Sequence, residues 1–434
     1  MPESIGMAVL IALFLLLLLR VPIGLAMILC ALVGNAVFQG VTPALVQLQL
    51  VLWEMTSDFV LLTLPLFIWM GLLAKQAGLG DDLASCVRCW MGRLPGGLAA
   101  TSALSSAGFG TLTGSSVATV LTMGGMMLPE MKRYGYQPAF AAGSIAAGGV
   151  LAILIPPSLP LIFYGAWTET SIAALFLAGI IPGLMLTLLF LASIVWRSLR
   201  NPSWAPGMGE TSWIERWQAL GRLLPSLSVL FLVLGSIYSG VATPTEAAAV
   251  GVVGILGIGI VRRRLTGSAI REGLLDSTQV SCNLFLLLLG GLLLSRFLAQ
   301  TGLIESGLAS IASLGASPQV ILILLMLFYL LLGAFLDTFG MILLTLPFVY
   351  PLVTSLGYDP VWLGVFLVLM IELSLMTPPI GLNVLVLRQL APDIPLFQIY
   401  RGVIPFVLLT LVLAVVLIYI PSLVLWLPAH LTTR

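Results

Sequence analysis

Charge is what this sequence has least of. Only 8% of its 434 residues are Asp, Glu, Lys or Arg, while 60% are hydrophobic. A soluble domain carries about 25% charged residues, so a chain this poor in charge cannot cover itself with polar surface. The net charge of +1 offers no electrostatic footprint for nucleic acid. There is one histidine, His430, near the end of the chain and expected in solvent. With no histidine set and with acids scattered rather than paired, the clustered groups that an intramembrane protease or lipid-phosphate transferase needs are missing. The chain therefore reads as a non-enzyme. The four cysteines make no framework. Cys86 and Cys89 have C-x-x-C spacing but no second pair follows, so they read as small membrane residues rather than a redox or zinc motif. No G-x-x-x-x-G-K-[ST] phosphate loop occurs either, as expected of a protein not driven by ATP.

What the chain has is apolar length. Mean hydropathy is +1.15, and Met7–Leu19, Val51–Ala74, Leu184–Val195, Ile321–Phe335 and Val403–Leu427 are nearly all apolar. A bilayer crossing needs about 20 such residues. The runs are too many for the first to be only a removable signal peptide. The lipid bilayer is the expected environment.

The chain also matches itself. Pro129 precedes Gly135-Tyr136-Gln137-Pro138 as Pro351 precedes Gly357-Tyr358-Asp359-Pro360, at an offset of 222. Pro156-Pro157 and Pro378-Pro379 share that offset; Gly179-Ile180-Ile181-Pro182 and Gly402-Val403-Ile404-Pro405 differ by 223, and Ala77-Gly78-Leu79 and Thr301-Gly302-Leu303 by 224. Several ordered matches at one spacing indicate duplication. The expected division is N-terminal scaffold helices at 1–50, a first repeat at 51–198, a linker with a cytoplasmic loop and two scaffold helices at 199–271, a second repeat at 272–427, and a tail at 428–434.

Fifteen of the eighteen basic residues fall in five clusters, around 75–93, 132–133, 197–222, 262–271 and 388–401. Cytoplasmic loops collect Lys and Arg. With all five on one side, five crossings separate equivalent points of the repeats, at 51–74, 138–165, 170–196, 223–239 and 245–261. An odd number inverts the second repeat, the arrangement common in secondary transporters. Segments 95–134 and 317–356 then fit as re-entrant helical hairpins. Within the first, residues 96–125 are dominated by Gly, Ala, Ser and Thr, which permit close packing of backbone against protein. Arg20 marks either a tight cytoplasmic turn, the preferred reading, or the middle of a long broken helix. Arg296 is the exception to the charge rule. The expected fold is an all-α polytopic membrane protein of inverted repeats, each with a re-entrant hairpin and a broken helix (138–165 and 360–388).

Candidate site residues sit where hairpin tips and helix breaks fall. The first tip contains Gly114, Ser115, Ser116 and Thr119; the second contains Asp337, Thr338 and Gly340. A Pro-Pro pair at membrane depth frees carbonyls. This draws in Gly148, Pro156 and Ser158 in the first half and Thr377, Gly381 and Asn383 in the second. Such oxygens suit a small hard cation, and helix N-termini favour an anion. A sodium ion is expected at Gly114, Ser115, Ser116, Thr119, Gly148 and Pro156, and another at Asp337, Thr338, Gly340, Thr377, Gly381 and Asn383. An anionic substrate is expected between them, at Ser115, Ser158, Thr338 and Asn383. Against this stands simple packing, the commonest role of Gly and Ser in membrane helices. Asp337 is the strongest candidate, because a carboxylate in an apolar stretch is costly. Glu372 is similar, though it could pair with a partner helix. Glu54, Asp58, Glu169 and Glu246 are expected near membrane interfaces.

The run Leu128-Pro129-Glu130-Met131-Lys132-Arg133-Tyr134-Gly135-Tyr136, followed by Ala146-Ala147-Gly148-Gly149, Ile155-Pro156-Pro157-Ser158, Tyr164-Gly165 and Thr168-Glu169-Thr170-Ser171-Ile172, resembles the large permease subunit of the tripartite ATP-independent periplasmic (TRAP) transporters. Thr113–Thr119 resembles that family's first hairpin tip, and Phe335-Leu336-Asp337 and Glu372–Asn383 resemble its second-half motifs. The resemblance spans essentially the whole chain. It implies an elevator-type ion transporter in the bacterial inner membrane, taking up a small carboxylate or sugar acid with sodium and no organic cofactor. It also implies two partners, a small four-helix membrane subunit and a soluble periplasmic binding protein. Without the extra N-terminal helices of fused versions, the small subunit is expected as a separate chain. The rival reading is a stand-alone sodium/divalent-anion symporter that takes substrate directly from solution.

Overall fold

The computed structural model describes residues 2–207 and 211–431. All regular elements among them are helical. The chain opens with α1 (Pro2–Leu18), α2 (Ile23–Gln39) and α3 (Val41–Ser57). Arg20 lies in the turn between α1 and α2 with φ of 63°, which resolves its alternatives in favour of the turn. Then α3 runs across residue 51, where the first repeat was expected to begin. The break comes at Asp58, whose carboxylate accepts the Val60 N–H at 2.8 Å and starts a short 3-10 turn. The segment expected as one crossing at 51–74 is thus divided between α3 and α4 (Thr63–Gln76).

The first half continues with α5 (Leu79–Met91), α6 (Gly97–Thr113), α7 (Ser116–Arg133), α8 (Pro138–Leu154), α9 (Leu159–Thr168) and α10 (Ile172–Arg200). The linker supplies α11 (Trp213–Tyr238) and α12 (Pro244–Val261). Both begin in capping boxes, Ser212 with Glu215 and Thr243 with Glu246, in which side chain and backbone satisfy each other's exposed donors. The second half repeats the order with α13 (Gly267–Gln300), α14 (Leu303–Ser313), α15 (Pro318–Leu332), α16 (Thr338–Ser355), α17 (Pro360–Ser374), α18 (Leu382–Leu390), α19 (Leu396–Tyr419) and α20 (Ser422–Leu431). Proline at the first helical position starts α8, α12, α15 and α17, where its missing N–H costs nothing.

Three boundaries move. Because α13 starts at Gly267, the second repeat's first helix reaches into the expected linker. The stretch at 199–218, expected as a cytoplasmic loop or an interfacial helix, joins α11 from Trp213 onward, and its residues 208–210 lie outside the described residues. The tail expected from 428 is the end of α20 as far as Leu431, where Val424 and Pro428 are buried; residues 432–434 lie outside the described residues. His430 is exposed, with Nδ1 2.7 Å from the Trp426 carbonyl.

The basic clusters meet on one face. Arg88 pairs with Glu130 at 2.5 Å, Lys132 with Asp393 at 2.6 Å, and Arg262 with both Asp82 and the Arg222 carbonyl at 2.6 Å. Arg197, Arg200 and Arg401 share a cleft with Gln137. These contacts chain all five clusters together. α8 begins on this face, where the Gln137 N–H donates to the Trp204 carbonyl. α17 begins at the other, where the Pro360 carbonyl accepts from Tyr164 at the end of α9. The two broken helices therefore run in opposite directions. Arg296, the exception to the charge pattern, pairs with Glu54 of α3.

Among the described residues, eight helical segments are long and apolar enough to cross a membrane. Of an apolar 18-residue stretch within 138–168, 94% is buried in the protein, against 28% of the corresponding stretch of α11. A helix apolar on all sides belongs at the centre, and α8 and α17 are buried almost throughout. The paired helices α6–α7 and α15–α16 pack around them, and α11 faces outward.

Candidate functional site

Small residues bring the hairpins onto the central helices. A Cβ on Gly110 would overlap Ala152 of α8, and one on Gly333 would overlap Ser374 of α17. The crossings are equivalent in the two halves. At the first tip Gly114 has φ of 61° and ends α6, a conformation that costs glycine little. A Cβ there would stand 3.0 Å from the Leu159 nitrogen, so the tip seats directly on the break between α8 and α9. From the other side, the Cβ position of Gly71 on α4 lies 2.8 Å from the Leu112 carbonyl oxygen. Ser115 caps α7 by accepting the Ala118 N–H at 3.3 Å, and the Thr113 and Thr119 hydroxyls are 3.0 Å apart. Thr113, Gly114, Pro157 and Ser158 bound one closely packed gap, and the buried Ser158 hydroxyl has no hydrogen-bond partner.

One step deeper, the two repeats interlock. Ser116 of α7 donates to Oε1 of Glu372 on α17 in a long bond of 3.4 Å. Glu372 is 1% exposed, and its second oxygen has no partner. Asn383, the second residue of α18, is buried with both amide atoms unpartnered. Its Nδ2 lies 3.2 Å from where a Cβ on Gly149 would stand, and the Ser116 carbonyl lies 3.4 Å from the same point. Ser116, Gly149, Glu372 and Asn383 thus converge from four helices and both repeats. Buried polar atoms normally find partners, which makes this group of unpaired atoms the candidate site.

The remaining expected residues divide. Gly148 faces Ser106, whose Oγ is 2.5 Å from its Cβ position; this is a packing contact. Pro156 leads into a cis bond to Pro157, as Pro378 does to Pro379. Asn383, grouped by sequence with Asp337, sits instead against the first repeat. Asp337 is exposed and caps α16, accepting the Gly340 N–H at 3.2 Å. Thr338 is the first residue of α16 and is buried. The Thr377 hydroxyl donates to the Ser374 carbonyl at 3.0 Å, so the hydrogen bonds of Asp337 and Thr377 stay within their own segments. Gly381 adopts φ of 56°, and the Thr377 and Leu375 carbonyls lie 3.0 and 3.3 Å from its Cβ position. Tyr400 of α19 braces this break by donating to the Ile380 carbonyl at 2.7 Å.

Sequence reasoning left Glu372 out of both ion sites, although an acid inside a helix apolar on every face was the available signal. It also passed over Ser102, Ser105 and Ser106 of α6, whose buried hydroxyls lack partners. In a segment rich in Ser nothing in the sequence distinguishes them. No cluster of three His, Cys, Asp or Glu able to hold a metal ion occurs among the described residues.

The family profile described as "Tripartite ATP-independent periplasmic transporter, DctM component" matches residues 10–423. The chain belongs to this family. It is 34% identical over 383 residues to the C4-dicarboxylate TRAP transporter large permease protein DctM of Pseudomonas aeruginosa, covering 88% of this chain and 89% of that one. It is 32% identical over 376 residues to the sialic acid TRAP transporter large permease protein SiaM of Vibrio cholerae, covering 86% and 87%. Among solved structures, the YdaH transporter of Alcanivorax borkumensis superposes with a TM-score of 0.59 at 18% identity, covering 90% of this chain and 89% of that one; at that identity the likeness shows the fold alone. This TRAP large permease is accordingly a multi-pass inner-membrane transport protein and not an enzyme.

Proposed function

We propose that this permease carries out sodium-coupled uptake of a small organic anion, delivered by a periplasmic binding protein, in a complex with a small four-helix membrane subunit on a separate chain. The observation that carries the reading is the buried carboxylate of Glu372, held by Ser116 on one oxygen and unpaired on the other. An isolated buried charge costs several kcal/mol unless it is paired. A sodium ion on Oε2, shared with Asn383 Oδ1, supplies the missing charge. A second ion is proposed at the other tip, on Asp337, Thr338 and the carbonyls around Gly381. The substrate anion lies between them, near Ser158 and the N-terminus of α18 with Asn383, where the helix dipole favours negative charge. The relatives named for C4-dicarboxylates and for sialic acid both handle carboxylates, which supports an organic anion here. In the proposed elevator cycle, the hairpins, broken helices, α10 and α19 move together against a scaffold of α1–α3 and α11–α13. The direct backbone contact of Gly402 on α19 with Ala139 and Gly143 on α8 suits a body that moves as one.

The test is uptake of labelled organic acids into proteoliposomes holding the permease, its small subunit and the binding protein encoded beside it. An inward sodium gradient is compared with an equal potassium gradient. Sodium-dependent uptake that requires the binding protein is expected. Sodium-dependent uptake without it would establish the stand-alone symporter instead, and uptake indifferent to sodium would remove both ion sites.

A further inference from the structure

On the basic face a cleft of about 430 Å³ opens between the cytoplasmic end of α10, the start of α8 and the first turns of α19. Three arginines line it: Arg197 and Arg200 from α10 and Arg401 from α19. None of the three pairs with a carboxylate among the described residues, whereas Arg88, Arg262, Arg264 and Arg296 all do. Among the described residues, no acid lines the cleft. Arg197 is held in place by aromatic faces, with its guanidinium carbon 4.9 Å from the Phe140 ring centre and 5.8 Å from that of Phe406. Its Nη1 is buried without a hydrogen-bond partner. Gln137, also on the wall, caps the N-terminus of α8, so the positive end of that helix faces the same space.

We propose that this cleft binds the phosphate of an anionic phospholipid of the inner leaflet. A planar guanidinium matches phosphate oxygens in a bidentate way, and three of them without counter-ions form a phosphate site that lacks only its anion. What selects a lipid over a free phosphate is the surface below the cleft. Along α10, Leu184, Leu188, Trp196 and Leu199 are exposed at helical spacing; along α19, Ile404, Leu408 and Val412 are exposed in the same way. Each apolar stripe runs from membrane depth to the arginines, so acyl chains continue where the headgroup ends. Basic pockets between helices on the cytoplasmic side bind such headgroups. The site depends on the inner-membrane placement and the basic cytoplasmic face, and it stands or falls independently of sodium coupling.

The experiment is native mass spectrometry of the purified full-length chain titrated with phosphatidylglycerol or phosphatidylcholine. We expect retained phosphatidylglycerol adducts and few of phosphatidylcholine. Arg197→Gln/Arg200→Gln/Arg401→Gln should weaken phosphatidylglycerol retention by about 100-fold, at about fivefold per arginine. The control Arg222→Gln/Arg263→Gln/Arg271→Gln removes the same charge from the same face outside the cleft and should retain the lipid. Melting temperatures of both variants in phosphatidylcholine nanodiscs check folding, and Arg197→Lys with Arg401→Lys, which keeps charge but loses the bidentate fork, should weaken retention only partly. Equal retention of the two lipids, equal loss in the two triple variants, unchanged retention in the cleft variant, or displacement of the lipid by millimolar inorganic phosphate would each overturn the proposal.

Discussion

The two hairpins are built from the same parts and end in different states. At the first tip, Thr113, Gly114, Pro156, Pro157 and Ser158 are buried, and the tip rests on the break it faces. At the second, Phe335, Asp337, Pro378, Pro379 and Ile380 are exposed. Each hairpin crosses its central helix through an equivalent small-residue contact, Gly110 on Ala152 and Gly333 on Ser374, so the difference does not come from the crossing. It comes from what each tip touches next. The first is pressed from behind by α4 at Gly71 and reaches across to Glu372 of the other repeat. The hydrogen bonds of Asp337 and Thr377 remain local. Inverted repeats place two equivalent tips in the fold, and the two are packed unequally here.

The largest test of this inequality is charge removal. Glu372→Gln keeps the shape and deletes the buried charge. We expect uptake to fall by about 100-fold, or about 2.8 kcal/mol of lost ion binding, with little change in melting temperature, because the carboxylate has only the long Ser116 bond within the chain and no cation to lose. Asp337→Asn, at the second tip, should cost only about fivefold in sodium affinity, about one hydrogen bond's worth, because that carboxylate already accepts the Gly340 N–H. Equal effects on sodium-dependent uptake would erase the distinction between the tips.

Next in size is the packing of the crossings. Gly110→Ala forces a methyl against the α8 backbone and should lower stability by about 3 kcal/mol, the top of the usual overpacking range. Gly333→Ala meets mainly the Ser374 side chain and should cost about half that. Thermal melts in one detergent compare them, and a reversed order would mean that the second hairpin is the more tightly held.

Accessibility tests the exposure directly. In a background lacking Cys30, Cys86, Cys89 and Cys282, a maleimide should label Ile380→Cys at least about tenfold faster than Ser158→Cys, because thiol reactivity follows exposure. Similar rates would show both breaks open on the labelling timescale.

The smallest effect concerns Lys132 and Asp393, the salt bridge that ties the end of the first hairpin to the loop after α18. The hydrogen bond from Lys132 holds the Asp393 carboxyl below its ordinary range. A depressed value in the folded state means that the contribution is complete at neutral pH and fades only as pH falls through that lowered value. Both groups are exposed, so Asp393→Asn should leave the melting temperature at pH 7 unchanged within error. A clear drop would show that the cytoplasmic end of the first hairpin is fastened as firmly as its tip.

Much of the fold was legible because its signals are local. Pro138, Pro244, Pro318 and Pro360 start helices by removing a donor that has no use there. Gly114 ends one by accepting a left-handed turn. The counts of Lys and Arg placed the loops and inverted the second repeat, and contacts among the five clusters bear this out. The boundaries that moved did so for tertiary reasons. Asp58 caps a turn and splits a run that hydropathy alone makes continuous, and α20 is held in place by burial of Val424 and Pro428 beyond the expected end of the repeat. The site was less legible. Spacing grouped Asn383 with Asp337, since both belong to the second half, but the structure sets it against Gly149 of the first.

By itself the sequence determined a membrane protein of two inverted halves, with helices, caps and breaks near their observed positions. Apolar length, proline, glycine and charge act on the chain within a few residues of where they stand. Only the tertiary structure decided that Ser116 meets Glu372, 256 positions away, that three arginines share one cleft, and that one hairpin tip is buried while its twin is exposed. Those outcomes depend on which faces of distant helices meet, and a repeat that is symmetric in sequence leaves that choice to packing.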